Sequence, residues 1–244
     1  MARSVLPTSE AGEPPAPRWG FGDVAITVGL AVFLGTLVAS VSRRWIDSGG
    51  SAAAWSIVAL LVVPWIALAG WPLYAAHAKG RGPRADYRLV LNGRGLLIGV
   101  VGGVVALVVA TGVQNVTERV LGHPFDSTVG VLAQTVAVNR AALVVFALCA
   151  AFGAPVVEEI AFRGLLFGAF RRVGFPLAWS IVYTSLAFAV FHLELVRLPL
   201  LLTIGLVLTG VRALADSTGA SIVAHMCVNL PGALGILQLT RPGR

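Results

Sequence analysis

Long apolar runs alternate with short polar segments along the whole chain. Seven runs are long enough to cross the hydrocarbon core of a bilayer, which takes about 20 apolar residues as a helix. They cover residues 21–42, 52–76, 95–116, 141–170, 175–192, 198–214 and 219–239. This pattern predicts an all-α, polytopic transmembrane helical bundle of about seven to eight spans. Prolines 64, 72 and 155 are expected to kink their helices, and Pro231–Gly232 to break the last one.

The polar segments divide the chain. Residues 1–20 are rich in proline and lack periodicity, which predicts a disordered N-terminal tail. Residues 21–118 form the N-terminal transmembrane helices, 119–140 a loop or re-entrant segment, and 141–240 a last group of helices. Within the loop, residues 129–138 fit either an amphipathic helix or a re-entrant piece. Gly99 and Gly103 have the GxxxG spacing that is typical of closely packed membrane helices.

Composition supports a membrane protein and excludes a soluble domain, because 57% of the 244 residues are hydrophobic and 12% are charged. The net charge of +7 comes from short loops, so it indicates topology rather than nucleic-acid binding. The most basic loop holds Lys79, Arg81, Arg84, Arg88 and Arg94. It places the N-terminus in the cytoplasm. The bias to Ala, Val, Gly and Arg is typical of a bacterium with a GC-rich genome, so we expect a protein integral to the bacterial plasma membrane, with membrane lipids as partners.

The fourth run contains three charged residues, although a charge at bilayer depth costs roughly 2.5–3.5 kcal/mol on insertion scales. Glu159 and Arg163 are four residues apart and can pair on one helix face. Glu158 lies about 100° around the helix and faces another surface without a local partner. An unpaired carboxylate suits a general base or acid. The alternative is a structural polar knot between helices.

Two later runs carry further polar residues. Phe188 and His192 end the fifth run, and His225 and Asn229 lie one turn apart on one face of the seventh. Helical rise puts Glu158, both histidines and Asn229 within one layer of the membrane, where a polar cavity would admit water. Interhelical hydrogen bonding without chemistry is the alternative for these residues.

Glu158–Glu159 with Arg163, Phe188 with His192, and His225 with Asn229 resemble, in order, the EExxxR, FxxxH and HxxxN/D motifs of the CAAX prenyl endopeptidase family. These enzymes form the CPBP or Abi group of intramembrane proteases. The resemblance implies an intramembrane endopeptidase acting on a membrane-associated peptide or protein.

The resemblance also suggests roles for the motif residues. Glu158 and His192 would activate water, and His225 and Asn229 would stabilise the oxyanion. Glu159, Arg163 and Phe188 would hold these groups in place. A divalent metal such as Zn stays open as a cofactor, and its ligands would be Glu158, His192 and His225.

The sequence leaves three alternatives to this mechanism, two of which are disfavoured. A non-enzymatic accessory or immunity-type membrane protein would keep the same polar layer for packing. A small transporter is disfavoured because the sequence shows no inverted repeat. A cysteine nucleophile is disfavoured because Cys227, two residues from His225, points away from it on a helix. Cys149 and Cys227 both lie in apolar runs, so a disulfide framework is not predicted.

Overall fold

The computed structural model describes residues 16–239 and shows nine helices and no strand in that part of the chain. In chain order they are α1 (Phe21–Ser48), α2 (Gly50–Lys79), α3 (Pro83–Asp86), α4 (Gly93–Leu121), α5 (Thr128–Val136), α6 (Arg140–Arg172), α7 (Leu177–Phe191), α8 (Leu198–Ala215) and α9 (Thr218–Leu237).

Six of these helices, α1, α2, α4, α6, α8 and α9, are long and apolar enough to cross a membrane. The predicted all-α polytopic bundle is therefore confirmed. The seventh apolar helix, α7, has only 15 residues. At 1.5 Å per residue it extends about 22 Å, which is less than the hydrocarbon thickness of about 30 Å. Helix α7 is therefore too short by itself to cross the hydrocarbon core.

The prolines act differently from one another. Helix α2 is interrupted at Val63–Pro64, as predicted, and again at Ala69. Pro72 does not interrupt it, because it lies in the first turn of the last segment, Gly70–Lys79, where a missing N–H costs no hydrogen bond. The predicted break at Pro231–Gly232 is wrong. Helix α9 continues through Pro231, since a membrane helix can re-satisfy the one backbone carbonyl that a proline frees.

Helix α6 stays continuous past Pro155 by widening its turns. A π-helical stretch, Cys149–Gly153, precedes the regular segment Ala154–Glu159, and a second one, Ile160–Leu166, follows it. The proline ring would clash with the carbonyl four residues earlier, and a wider turn provides space for the ring. The two acidic residues thus lie in a short α-helical segment between two π-helical stretches.

Helix α4 belongs to the same bundle as the C-terminal helices. A Cβ atom on Gly99 would lie 2.6 Å from the Ala220 carbonyl oxygen, and one on Gly102 would lie 2.3 Å from a methyl group of Val211. The backbone of α4 is therefore in direct contact with α9 and with side chains of α8. The close packing predicted from the GxxxG spacing is confirmed.

Replacement of Gly103 by alanine should loosen this packing. The new Cβ would lie 2.5 Å from the Cβ of Cys227 and 2.8 Å from the Ala224 carbonyl oxygen. Both contacts force the helices apart, so we expect a loss of roughly 1–3 kcal/mol in the free energy of unfolding. Thermal unfolding in detergent would measure it. Gly112→Ala on the same helix is the control, because nothing lies within 4 Å of its added Cβ.

Two segments outside the long spans are also ordered, and the first of them is helical, which is one of the two alternatives expected for residues 129–138. Residues 129–138 contribute to α5, a nine-residue helix that is too short to cross the membrane and buries Ala133 and Val136. The predicted disordered tail lies outside the described residues up to residue 15. Residues 16–19 differ from that prediction, because Trp19 is 2% exposed and its ring lies 5.0 Å from that of Tyr87.

Candidate active site

The pairing of Glu159 with Arg163 on α6 is confirmed. Both side chains are fully buried, and Nη1 of Arg163 donates to Oε1 of Glu159 over 2.9 Å. The rest of the guanidinium binds α8: Nε donates to Oγ1 of Thr209 (3.2 Å) and Nη2 to the Gly205 carbonyl oxygen (3.1 Å). A buried charge is tolerated only when it is paired and hydrogen-bonded in this way.

Glu159 also holds α9 in place. Its Oε2 accepts from the Ser221 hydroxyl at 2.6 Å, and its Oε1 lies 2.9 Å from Nδ1 of His225. A carboxylate can only accept, so the proton of the His225 ring is assigned to Nδ1. The other ring nitrogen, Nε2, is turned toward Glu158.

His192 is constrained in the same way at the C-terminal end of α7. Its Nδ1 lies 2.8 Å from the backbone carbonyl oxygen of Phe188, which also can only accept. The Phe188 ring lies 4.6 Å from the His192 ring and 5.8 Å from the His225 ring. Phe188 thus packs between the two histidines, and each histidine presents its Nε2.

Glu158 is the acid that Arg163 leaves unpaired. Its Oε2 lies 3.9 Å from Nε2 of His192 and 4.0 Å from Nε2 of His225. This oxygen is buried and has no hydrogen-bond partner among the described residues. A buried acceptor without a partner is uncommon in folded proteins and marks a place for a bound group. One carboxylate oxygen from α6 and two imidazole Nε2 atoms, from α7 and α9, therefore converge here.

Asn229 lies one turn beyond His225 on α9. Its Nδ2 donates to the Ala150 carbonyl oxygen at 2.9 Å, inside the first π-helical stretch of α6. An amide nitrogen has two N–H groups, so the second one is free to bind a ligand.

All four predicted catalytic side chains line one cavity of about 820 Å³. They are Glu158, His192, His225 and Asn229. The other walls come from α2, α4, α5 and α8 and are mostly apolar. A cavity of this size, with apolar walls and a few convergent polar groups, has the form of a ligand-binding site.

The distances from Oε2 of Glu158 to the Nε2 atoms of His192 and His225 fit a bridging water molecule better than a shared zinc ion. Two ligands of one tetrahedral zinc ion at about 2.0–2.1 Å lie roughly 3.4 Å apart, and the distances here are 3.9 and 4.0 Å. No group of three His, Cys, Asp or Glu residues within residues 16–239 has metal-binding geometry. A water molecule at ordinary hydrogen-bond distance can lie between Glu158 and either histidine.

Sequence reasoning missed Ser221 and Thr209, which fix Glu159 and Arg163 from the neighbouring helices. A signal for Ser221 was present, because Ser217, Ser221, His225 and Asn229 recur at every fourth residue and form a polar stripe along α9. Thr209 has no comparable signal, since a threonine in an apolar helix commonly bonds to its own backbone.

The fold and this cavity define a polytopic helical membrane protein with a buried polar site. Residues 140–231 match the model of a family described as Type II CAAX prenyl endopeptidase Rce1-like. The match contains all three motifs and confirms the resemblance to the CAAX prenyl endopeptidase family, although it spans less than half of the chain. It supports a protease-type protein. Searches of curated proteins and of solved structures returned no match.

Proposed function

We propose that this protein is an intramembrane endopeptidase that hydrolyses a peptide bond of a membrane-associated protein or peptide. The observation that supports this most strongly is the buried Oε2 of Glu158, which has no partner among the described residues and faces Nε2 of two histidines across a cavity. The family match at residues 140–231 points to the same reaction class.

In the proposed reaction Glu158 is the general base. A water bound between Glu158 and His192 donates one proton to the Glu158 carboxylate as its oxygen attacks the scissile carbonyl carbon. The carbon–nitrogen bond of the tetrahedral intermediate then breaks. Glu158 gives its proton to the leaving nitrogen, so the products are a carboxylic acid and an amine, and Glu158 is again a carboxylate.

The oxyanion of the intermediate needs hydrogen-bond donors. The second N–H of Asn229 is one, since its first is used by Ala150. His225 can be another only when its Nε2 is also protonated, because its Nδ1 proton is held by Glu159. The carboxylate of Glu159 behind the ring would stabilise that imidazolium. This refines the role that the resemblance suggests for His225.

A comparison of membrane proteomes tests the proposal directly. Cells that contain the wild-type protein should show polypeptide termini that are missing from cells containing Glu158→Gln. The uncleaved precursors should accumulate in the variant cells. Identical termini in both strains, with both proteins present at equal levels in the membrane, would contradict the proposed activity and favour a non-enzymatic role for the polar layer.

Metal removal should leave the activity unchanged. The groups around Glu158 are spaced for a water molecule rather than for a zinc ion, and the proposed steps use no metal. Hydrolysis by the purified protein would be measured before and after dialysis against a chelator. A loss that added Zn²⁺ restores would show that Glu158, His192 and His225 close around a metal and would overturn this mechanism.

A further inference from the structure

We infer that the catalytic cavity opens on the extracytoplasmic side of the membrane, so that its substrate is a polypeptide segment presented from that side. This inference rests on the proposed function, for which it specifies where the substrate lies. It follows from two independent features, the charges at the two ends of the bundle and the end at which the cavity opens.

Contacts between helix termini define the two ends. At one end, Lys79 at the end of α2 contacts Asp23 at the start of α1 over 2.6 Å. At the same end the amide N–H of Thr218, at the start of α9, donates to the Arg88 carbonyl oxygen, and Arg88 pairs with Asp216. We call this the basic end. At the opposite end, Arg140 at the start of α6 bonds to the carbonyl oxygen of Leu237.

Lys and Arg residues are more numerous at one end of the bundle than at the other. Within residues 16–239 the basic end holds nine Lys or Arg residues against three acids, and the opposite end holds five against four. The nine are Arg18, Lys79, Arg81, Arg84, Arg88, Arg94, Arg171, Arg172 and Arg212, and the five are Arg43, Arg44, Arg119, Arg140 and Arg197. Short basic segments stay on the cytoplasmic side during insertion. The basic end is therefore the cytoplasmic end.

The cavity lies in the other half of the bundle. Its walls include Ile57 to Leu61 near the start of α2, Leu107 to Gln114 in the second half of α4, and Leu200 to Ile204 at the start of α8. Asp126 and Glu194, on the loops of the opposite end, also line it. The route from water to Glu158 therefore starts at the opposite end.

The loop after α7 indicates that the opening of the cavity on this side contacts lipid. Leu193 and Leu195 directly follow His192 and are 85% and 84% exposed. Large apolar side chains that stay uncovered beside a polar opening are typical of contact with lipid. A substrate reaching His192 past this loop would itself lie in the membrane or at its surface. An exported membrane-associated peptide or protein fits this geometry, and a chain attached to the cytoplasmic leaflet does not.

Cysteine labelling tests the direction in which the cavity opens without depending on activity. Cys149 and Cys227 are first replaced by alanine, and single cysteines are then introduced at Asp126, which is exposed at the mouth, and at Ala85, which is exposed at the basic end. Intact and lysed cells are treated with a membrane-impermeant maleimide. We expect Asp126→Cys to label equally in both samples and Ala85→Cys to label only after lysis. The reverse pattern would overturn the inference.

A third cysteine tests whether water reaches the cavity from the same side. Thr111 lines the cavity on α4, away from the proposed catalytic groups. Thr111→Cys should also label in intact cells, and labelling only after lysis would contradict the inference. These results are separable from the proposed function. If Glu158→Gln still cleaves, the mechanism fails while the labelling stands. If the labelling is reversed, the hydrolase remains and its substrate is cytoplasmic.

Discussion

Replacing Glu158 by glutamine should abolish peptide hydrolysis while leaving the protein folded in the membrane. The glutamine amide keeps the shape of the carboxylate but cannot accept the proton of the attacking water. Loss of a general base lowers the rate by about 10²–10⁴-fold. The loss should fall on kcat, with KM little changed, because in the proposed mechanism Glu158 acts on the water and not on the peptide. Steady-state hydrolysis of a substrate found by the proteome comparison, in detergent or lipid discs, would measure both constants.

Glu118→Gln is the matched control for this change. Glu118 is also a partly buried acid on a membrane helix, and its Oε1 accepts from Gln114. The Glu118→Gln variant should keep the wild-type kcat. Glu158→Gln should also unfold at the wild-type temperature, because the Oε2 atom that it replaces makes no hydrogen bond within the described residues. Undiminished turnover in this variant would contradict the assignment of the base.

Features that depend on neighbours along the chain could be predicted from the sequence. The spans follow from the length of each apolar run, and the pairing of Glu159 with Arg163 follows from their spacing of four residues on one helix. The same geometry turned Glu158 away from Arg163. These predictions hold because helix periodicity fixes which side chains share a face, whatever surrounds the helix.

The sequence predicted that the four site residues share one layer, but the partner of each side chain across the helix contacts could not be predicted. The contact of His225 with Glu159 joins residues 66 positions apart. It assigns a proton to Nδ1 of His225, which bears on the proposed oxyanion role. The π-helical stretches around Pro155 also lay beyond a prediction based on regular helices. The GxxxG spacing predicted close packing of α4, but it did not indicate that the partner would be α9 or that α4 would form a cavity wall.

The two adjacent acids lie in different environments, which supports separate roles for them in the proposed reaction. Glu159 receives hydrogen bonds from Arg163, Ser221 and His225 and is fully buried. Glu158 receives none at its Oε2 and faces the cavity. In the proposed reaction Glu159 holds His225 in place for the oxyanion, while Glu158 and His192 bind the attacking water. Stability and activity should consequently respond to different members of the pair.

Replacing Arg163 by methionine should destabilise the whole bundle. Arg163 is fully buried and joins α6 to α8 through Thr209 and Gly205, so its loss leaves the Glu159 carboxylate without its cation. Removing one partner of a buried pair costs about 3–5 kcal/mol. The remaining hydrogen bonds of Glu159 to Ser221 and His225 should keep the loss at the lower end of that range. Chemical unfolding in mixed micelles, followed by far-UV circular dichroism, would measure it.

Two further variants decide whether the unpaired charge of Glu159 causes the destabilisation expected for Arg163→Met. Glu159→Gln/Arg163→Met removes both charges and should recover part of the loss, since a neutral amide needs no cation. Arg43→Met removes an exposed arginine whose contact with Asp47 is 3.9 Å long, and should change the free energy of unfolding by less than about 1 kcal/mol. If the double variant is no more stable than Arg163→Met, lost packing rather than the unpaired carboxylate causes the destabilisation. In that case the charge of Glu159 matters for positioning His225 and not for holding the helices together.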